Sequence, residues 1–381
     1  MHPYNTEYTK LDNNIYFLSY YYIGDYMKQK LKRVFFLLLL LIFPVNAVAD
    51  TGHSTIIMDI DSGRILYQKN IHDKKLIAST TKIMTCIVVL ENFDIEKEIE
   101  IGEEVLSMYG TNIYIEVGEK IKIKDLLYGL MLRSGNDAAI TLAYNTVGEE
   151  KFVDKMNELA KKIGMNDTSF ENPHGLDDNT KNYSTAYDMA LLSKYAYKNS
   201  MYRKIISTKK YVTKSSLKSY VWYNRMSLLN KYKDCIGGKN GYTPKAGKSL
   251  VSYAKRKDMT LTIVSLDDPQ IYTNHKELYN TYFNKYNNYI IVDKDNFVIS
   301  PFLNNKDFYI KETFKYPLTN NELKNVKTVA KISKAEKNGV AGKIEIDINN
   351  KKIYTVNIYK KKYKKKKDIS IFQKIKNLFI R

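Results

Sequence analysis

Ile77-Ala78-Ser79-Thr80-Thr81-Lys82-Ile83-Met84-Thr85-Cys86-Ile87-Val88-Val89-Leu90 is the stretch from which the rest of the chain is read. Its second half, Ile83 to Leu90, is almost wholly apolar, which fits a helix buried all round rather than one lying on a surface. Ser79 opens that helix. Residues three apart share a helix face, so the Lys82 amine reaches the Ser79 hydroxyl. A serine becomes a nucleophile only beside a base, and a lysine serves as one when its pKa is lowered. The apolar helix body and nearby cations disfavour the ammonium and lower it. Taken by itself, Ser79 is first a helix cap, so this reading needs partners elsewhere in the chain.

Two further stretches qualify. Ser134-Gly135-Asn136 falls in a break between helical segments at Leu126 to Leu132 and Asp137 to Tyr144. There Ser134 can relay a proton and Asn136 can orient Lys82 or a substrate amide; both residues are equally good caps. Lys239-Asn240-Gly241-Tyr242-Thr243 precedes Pro244 and an apolar strand. Lys239 at a strand's end supplies positive charge and Gly241 allows close backbone approach to a ligand; the plain alternative is a hairpin turn. Gly247-Lys248-Ser249 ends like a phosphate-binding loop, but Tyr242 stands where that motif needs its first glycine.

Around these stretches the pattern is α+β. Ser54–Asp59 and Arg64–Gln68 flank a turn at Asp61-Ser62-Gly63, helical segments fall near 124–133, 137–146, 150–163 and 184–198, and strand-like runs follow at 249–255 and 259–265. A block of helices flanked by antiparallel strands excludes alternating βαβ units. From Ile290 to Tyr359 short strands alternate with turns at Asn338-Gly339 and Asn349-Asn350, and no helix is expected. The five histidines (His2, His53, His72, His174, His275) show no zinc-binding spacing, and no G-x-S-x-G is present. Cys86 and Cys235 read as free buried thiols.

The ordered trio S-x-x-K, S-x-N and K-x-G is the set used by class A β-lactamases and penicillin-binding proteins. The chain resembles the D-alanyl-D-alanine carboxypeptidases, the low-molecular-mass penicillin-binding proteins, over most of its mature length. The likeness includes Ala78–Thr85, Leu132–Ala139, Asn172-Pro-His-Gly-Leu-Asp177, Tyr183–Ala190 and Gly241–Gly247. It implies a serine β-lactamase/transpeptidase-like domain, an antiparallel sheet between helical layers, with a small β-rich C-terminal domain. By that resemblance Ser79 is the acylated nucleophile, Lys82 its base and Ser134 the shuttle to the leaving D-alanine. Asn136 and Lys239 orient groups in the site, and the backbone N–H groups of Ser79 and Tyr242 form the oxyanion hole. Lys239 and the Thr243 hydroxyl lie where the family receives the substrate carboxylate. No metal or organic cofactor is implied; the implied partners are D-Ala-D-Ala stem peptides and β-lactam antibiotics.

The departures are specific. Asn240 replaces the family's threonine, exchanging a hydroxyl for an amide that still donates a hydrogen bond. Tyr272-Thr-Asn-His-Lys-Glu277 contains no arginine where many relatives hold the carboxylate. His275 there reads as a surface residue and His174 as structural. Glu171 lies where a class A β-lactamase keeps its deacylating glutamate, but belongs to the Asn-Pro-His-Gly-Leu stretch, so β-lactamase activity is set aside. A catalytically impaired wall-binding protein is the other alternative, because of Asn240.

The ends of the chain indicate export. Lys28, Lys30, Lys32 and Arg33 precede Val34–Phe43, an apolar run of ten, and then Ala47-Val48-Ala49. That is the form of a secretory signal peptide, too short for a membrane span of about 20 residues. We therefore expect a leader at 1–49, with 1–26 a spurious extension and Met27 the start. A penicillin-binding domain at 50–286 and a β-rich domain at 287–359 are expected to follow. The net charge is +20, and residues 360–381 hold ten basic residues against one acidic. Ile371, Phe372, Ile375, Leu378 and Phe379 share one helix face there, suiting an anionic membrane surface. Location on the outer face of the cytoplasmic membrane follows, and nucleic acid drops out as a partner.

Overall fold

The computed structural model describes residues 54–179, 181–299, 308–337 and 339–361. The expected leader lies outside them, as does the expected basic tail from residue 362 onward; Lys360, its first residue, ends a strand. Five strands build the central sheet: β1 (Ser54–Asp59), β2 (Ile65–Lys69), β3 (Cys235–Thr243), β4 (Gly247–Arg256) and β5 (Met259–Leu266), in the order β2-β1-β5-β4-β3. Every pairing is antiparallel. Each residue of β5 is buried, as a central strand covered on both faces requires.

The pleat sends alternate side chains of β4 to opposite layers. On one face the Tyr253 hydroxyl lies 3.2 Å from that of Tyr202 and donates to Ser193 O at 3.1 Å. Those partners sit on helices Ser200–Ser207 and Ala186–Ala196. On the other face Ser252 meets His275 and Tyr279 of the helix Ile271–Lys285, each at 2.8 Å. The antiparallel sheet between helical layers is therefore present as expected. His275, however, is fully buried, bridging Ser252 and Ser265 (3.0 Å), not on the surface.

The apolar stretch forms helix α1 (Lys82–Asn92), with Ile83, Met84, Ile87 and Val88 at most 1% exposed. Burying each such side chain stabilises the fold by about 1.5–3 kcal/mol. Ser79 caps nothing: it sits inside a 3-10 turn, Ala78–Thr81, and α1 begins only at Lys82. The second break also differs in detail. Helix α2 (Ile123–Tyr128) runs into a wide turn, Gly129–Arg133, whose C-cap is Ser134, and helix α3 (Asn136–Val147) follows. Neither Ser134 nor Asn136 caps a helix with its side chain. The stretch 239–243 is no hairpin turn and Lys239 is not at a strand's end; it lies in the middle of edge strand β3.

Beyond the helix Ile271–Lys285 the chain is β-rich. Strand Asn287–Val292 pairs with Phe314–Leu318, while Phe308–Tyr309, Val326–Lys337, Val340–Ile348 and Lys351–Lys360 make a four-stranded sheet. Asn349 and Asn350 both take positive φ, as expected of a tight hairpin turn. One helical turn that the sequence reading omits, Asn320–Leu323, is held by a capping box between Thr319 and Glu322. Arg64 joins the two regions. Its guanidinium lies 5.2 Å and 5.0 Å from the Tyr286 and Tyr316 ring centres and pairs with Glu322.

Candidate active site

Lys82 is completely buried, and its Nζ has three neighbours: Ser79 Oγ at 3.0 Å, Asn136 Oδ1 at 2.7 Å and the His174 carbonyl at 2.6 Å. Burial, seconded by the charge of Lys239, holds this amine well below the usual lysine range, against an opposing pull from Asp137. A neutral amine has two N–H donors and one lone pair. In that neutral form, both donors directed at Asn136 and His174 would leave the lone pair for the Ser79 proton. Hydroxyl and amine are thus held within hydrogen-bond reach of each other, the geometry a serine and its base require, with no imidazole between them.

Local backbone geometry explains how Ser79 is presented. Ala78 holds φ 46°, left-handed for a residue with a side chain, strain of the kind found at functional sites. Two glycines press against this turn. A Cβ on Gly175 would lie 2.0 Å from Ala78 O, and one on Gly241 would lie 2.8 Å from Ser79 N. Only glycine lets the 172–178 loop and β3 come that close.

The second segment is anchored by the residue after Asn136. Asp137 accepts from the backbone N–H of Ile113 (2.9 Å), Tyr114 (2.7 Å) and Ala138 (2.8 Å), fixing the 109–115 loop over α3. Asn136 in turn donates from Nδ2 to Tyr109 O at 2.7 Å. Ser134, half-buried, takes φ 66°, a second left-handed non-glycine.

Along β3, Lys239 is 1% exposed and donates to Asn240 O at 2.6 Å. Burial and then the nearby Arg225 push its pKa down to about 7. Asn240 is half-buried and Tyr242 is exposed. Thr243 is placed differently from expectation. Its hydroxyl donates to Asp177 at 2.6 Å and accepts from Ala246 N at 2.9 Å, so its one proton is already committed.

Several contributors were not legible beforehand. The His174 carbonyl, not its ring, touches Lys82, and burial beside that amine keeps the imidazole neutral with a pKa of about 3. Arg225 is exposed and joins Leu132 O through its N–H (3.0 Å) and Thr111 Oγ1 through its guanidinium (3.3 Å). It forms no ion pair among the described residues. Cys86 and Cys235 are free and buried, as expected. Glu171 is exposed, its carboxylate accepting from Lys181 N at 2.6 Å.

A helix-flanked antiparallel sheet carrying a hydroxyl–amine pair at the head of its buried helix defines a class of serine peptidases. A family model described as D-alanyl-D-alanine carboxypeptidase matches residues 44–270, and the chain belongs to that family. The carboxypeptidase DacF of Bacillus subtilis (strain 168) is 36% identical over 221 residues, 56% of this chain and 57% of that relative. The carboxypeptidase of Streptomyces sp. (strain K15) is 34% identical over 223 residues, 54% of this chain and 76% of that one. The chain thus matches little more than half the length of the first relative. Among solved structures, a mutant of the Streptomyces K15 DD-transpeptidase is 30% identical, with a TM-score of 0.59 over 61% of this chain and 98% of its own. The carboxypeptidase DacD of Francisella tularensis shares the fold at 24% identity and a TM-score of 0.66, covering 84% of this chain and 95% of its own. That share extends into the β-rich C-terminal region.

Proposed function

We propose that the protein is a serine-type D-Ala-D-Ala carboxypeptidase that removes the terminal D-alanine of peptidoglycan stem peptides, and that penicillins acylate the same serine. Neutral Lys82 takes the Ser79 proton as Oγ attacks the carbonyl of the penultimate D-alanine. The N–H groups of Ser79 and Tyr242 receive the developing oxyanion; one such donor is worth about 10²–10³ in rate. Ser134 relays that proton from Lys82 to the leaving amine, which restores the neutral lysine; the peptide bond breaks, and D-alanine departs while the peptide remains as an ester on Ser79. Water then hydrolyses the ester, with Lys82 again accepting the proton, to give the shortened peptide and free enzyme.

Lys239, Asn240 and Arg225 receive the substrate's terminal carboxylate; Thr243 joins them only by releasing Asp177. Arg225 supplies the cation absent from 272–277. The exposed outward position of Glu171 speaks against a class A β-lactamase. Residues 50–286 are read as the penicillin-binding domain and 287–359 as a separate β domain. The leader exports the chain, and residues 360–381 hold it at the outer face of the cytoplasmic membrane.

The observation that carries this reading is the buried Lys82 amine 3.0 Å from Ser79 Oγ, with only uncharged oxygens as its other acceptors. The test is release of D-alanine from an acyl-D-Ala-D-Ala peptide by the full chain. Release that disappears in Ser79→Ala is expected. No release, or release that survives the substitution, overturns the proposal.

A further inference from the structure

We infer that Tyr109 and Asp178 form a strap that positions the Lys82 amine from outside the site, an inference that rests on Lys82 being the base. Lys82 donates to Asn136 Oδ1 (2.7 Å), and Asn136 donates to the Tyr109 carbonyl (2.7 Å). The hydroxyl of the same Tyr109 donates to the Asp178 carboxylate. Four residues back along that loop, the His174 carbonyl accepts from Lys82 at 2.6 Å. The circuit is closed: both oxygens that hold the amine beside Ser79 are tied to each other by one exposed tyrosine–carboxylate bond.

The surroundings make the strap tight. A Cβ on Gly110 would lie 3.3 Å from Asn136 Nδ2 and 3.8 Å from Leu176 Cδ2, so the chain after Tyr109 rests directly on both partners. Asp178 also faces Lys245 at 3.7 Å, while Lys245 and Thr243 hold Asp177 at 3.1 Å and 2.6 Å. The strap therefore extends to the end of β3 and links all three site segments. The bond to Asp178 pushes the Tyr109 hydroxyl up to about 12, so it remains a donor across the working range. Tyr109 is 49% exposed and Asp178 is exposed. Removing their bond leaves the core untouched and the Tyr109 carbonyl still available to Asn136, but it loosens the 109–115 loop against the 172–178 loop, and with them the two oxygens against each other. Geometry at the amine limits the chemical step, not binding, so the strap acts on kcat.

The test uses the full chain as wild type, Tyr109→Phe, Asp178→Asn and the double variant, with kcat and KM measured on an acyl-D-Ala-D-Ala peptide. Each single substitution is expected to lower kcat about five- to tenfold with KM within about twofold. The double variant should be no slower than the singles, because both remove one interaction. Unchanged kcat, an effect confined to KM, additive losses, or losses that track a fall in unfolding temperature would each overturn the strap. An inactive wild type would instead overturn the carboxypeptidase reading, so the two failures are distinct.

Discussion

Substituting Gly241 by Ala probes how closely the edge strand must press on the nucleophile. The added Cβ would sit 2.8 Å from Ser79 N, 3.0 Å from Thr80 N and 3.1 Å from Ala78 Cβ. None of these atoms is the loose end of a flexible side chain; all belong to the turn that opens α1. Gly241 is not among the positive-φ glycines, so the backbone itself accepts alanine and only the contact is at issue. Ordinary contact begins near 3.4 Å, so β3 must withdraw by about 0.6 Å. Overpacking of this size costs about 1–3 kcal/mol of stability. A shift of about 0.6 Å at the Tyr242 N–H should slow acylation by about tenfold or more. The assay is the second-order rate of labelling by a fluorescent penicillin, with the unfolding midpoint measured alongside. Wild-type labelling at an unchanged midpoint would refute the argument, since the strand could not then be pressed against Ser79.

Other outcomes follow from the same geometry. Lys82→Met removes the amine but keeps the shape: acylation should fall at least about 10³-fold, while the unfolding midpoint does not drop, because a buried polar amine is replaced by an apolar group. Arg225→Ala should raise KM for acyl-D-Ala-D-Ala about tenfold or more, yet leave the C-terminal amide analogue unaffected; steady-state kinetics on the pair decides it. Lys239, with a pKa of about 7, carries its charge below that value and loses it above. A KM that rises as pH climbs through about 7 is therefore expected, and a flat KM from about pH 6 to 8 would contradict the carboxylate role. Arg64→Ala removes a cation held between two tyrosines and paired with Glu322, and should destabilise the C-terminal region by about 2–3 kcal/mol. Hydrogen exchange should show this at 308–361 while D-alanine release is unchanged.

Much of the site was legible because its chemistry depends on side chains with fixed spacing. Ser79 and Lys82 stand one turn apart at the head of an unmistakably apolar helix, and Asn136, read as able to orient Lys82 or a substrate amide, lies against Lys82. What stayed hidden falls into three kinds. Backbone groups leave no trace in composition, so the carbonyls of His174 and Tyr109 could not be read. Glycine conceals strands: Gly237 and Gly238 take φ 143° and 153°, and a Cβ on Gly237 would lie 2.7 Å from Ile206 O. Lys239 therefore read as a strand's end or a hairpin turn, although β3 runs through both glycines, where a neighbouring helix approaches closely. Long-range partners decide the rest. His275 is buried because Ser252 and Ser265 meet both its ring nitrogens across two strands. Thr243 turns to Asp177 across 66 residues. Arg225 comes beside Lys239 because the chain returns past Leu132, which no local spacing announces.

Treating the full protein with penicillin, digesting it and locating the adduct by mass spectrometry addresses the pairing of Ser79 with Lys82 most directly. A single penicilloyl group on the peptide containing Ser79, absent when Lys82 is replaced by methionine, is the expected result. An adduct on another residue, or one that forms equally fast without the lysine, would contradict the account.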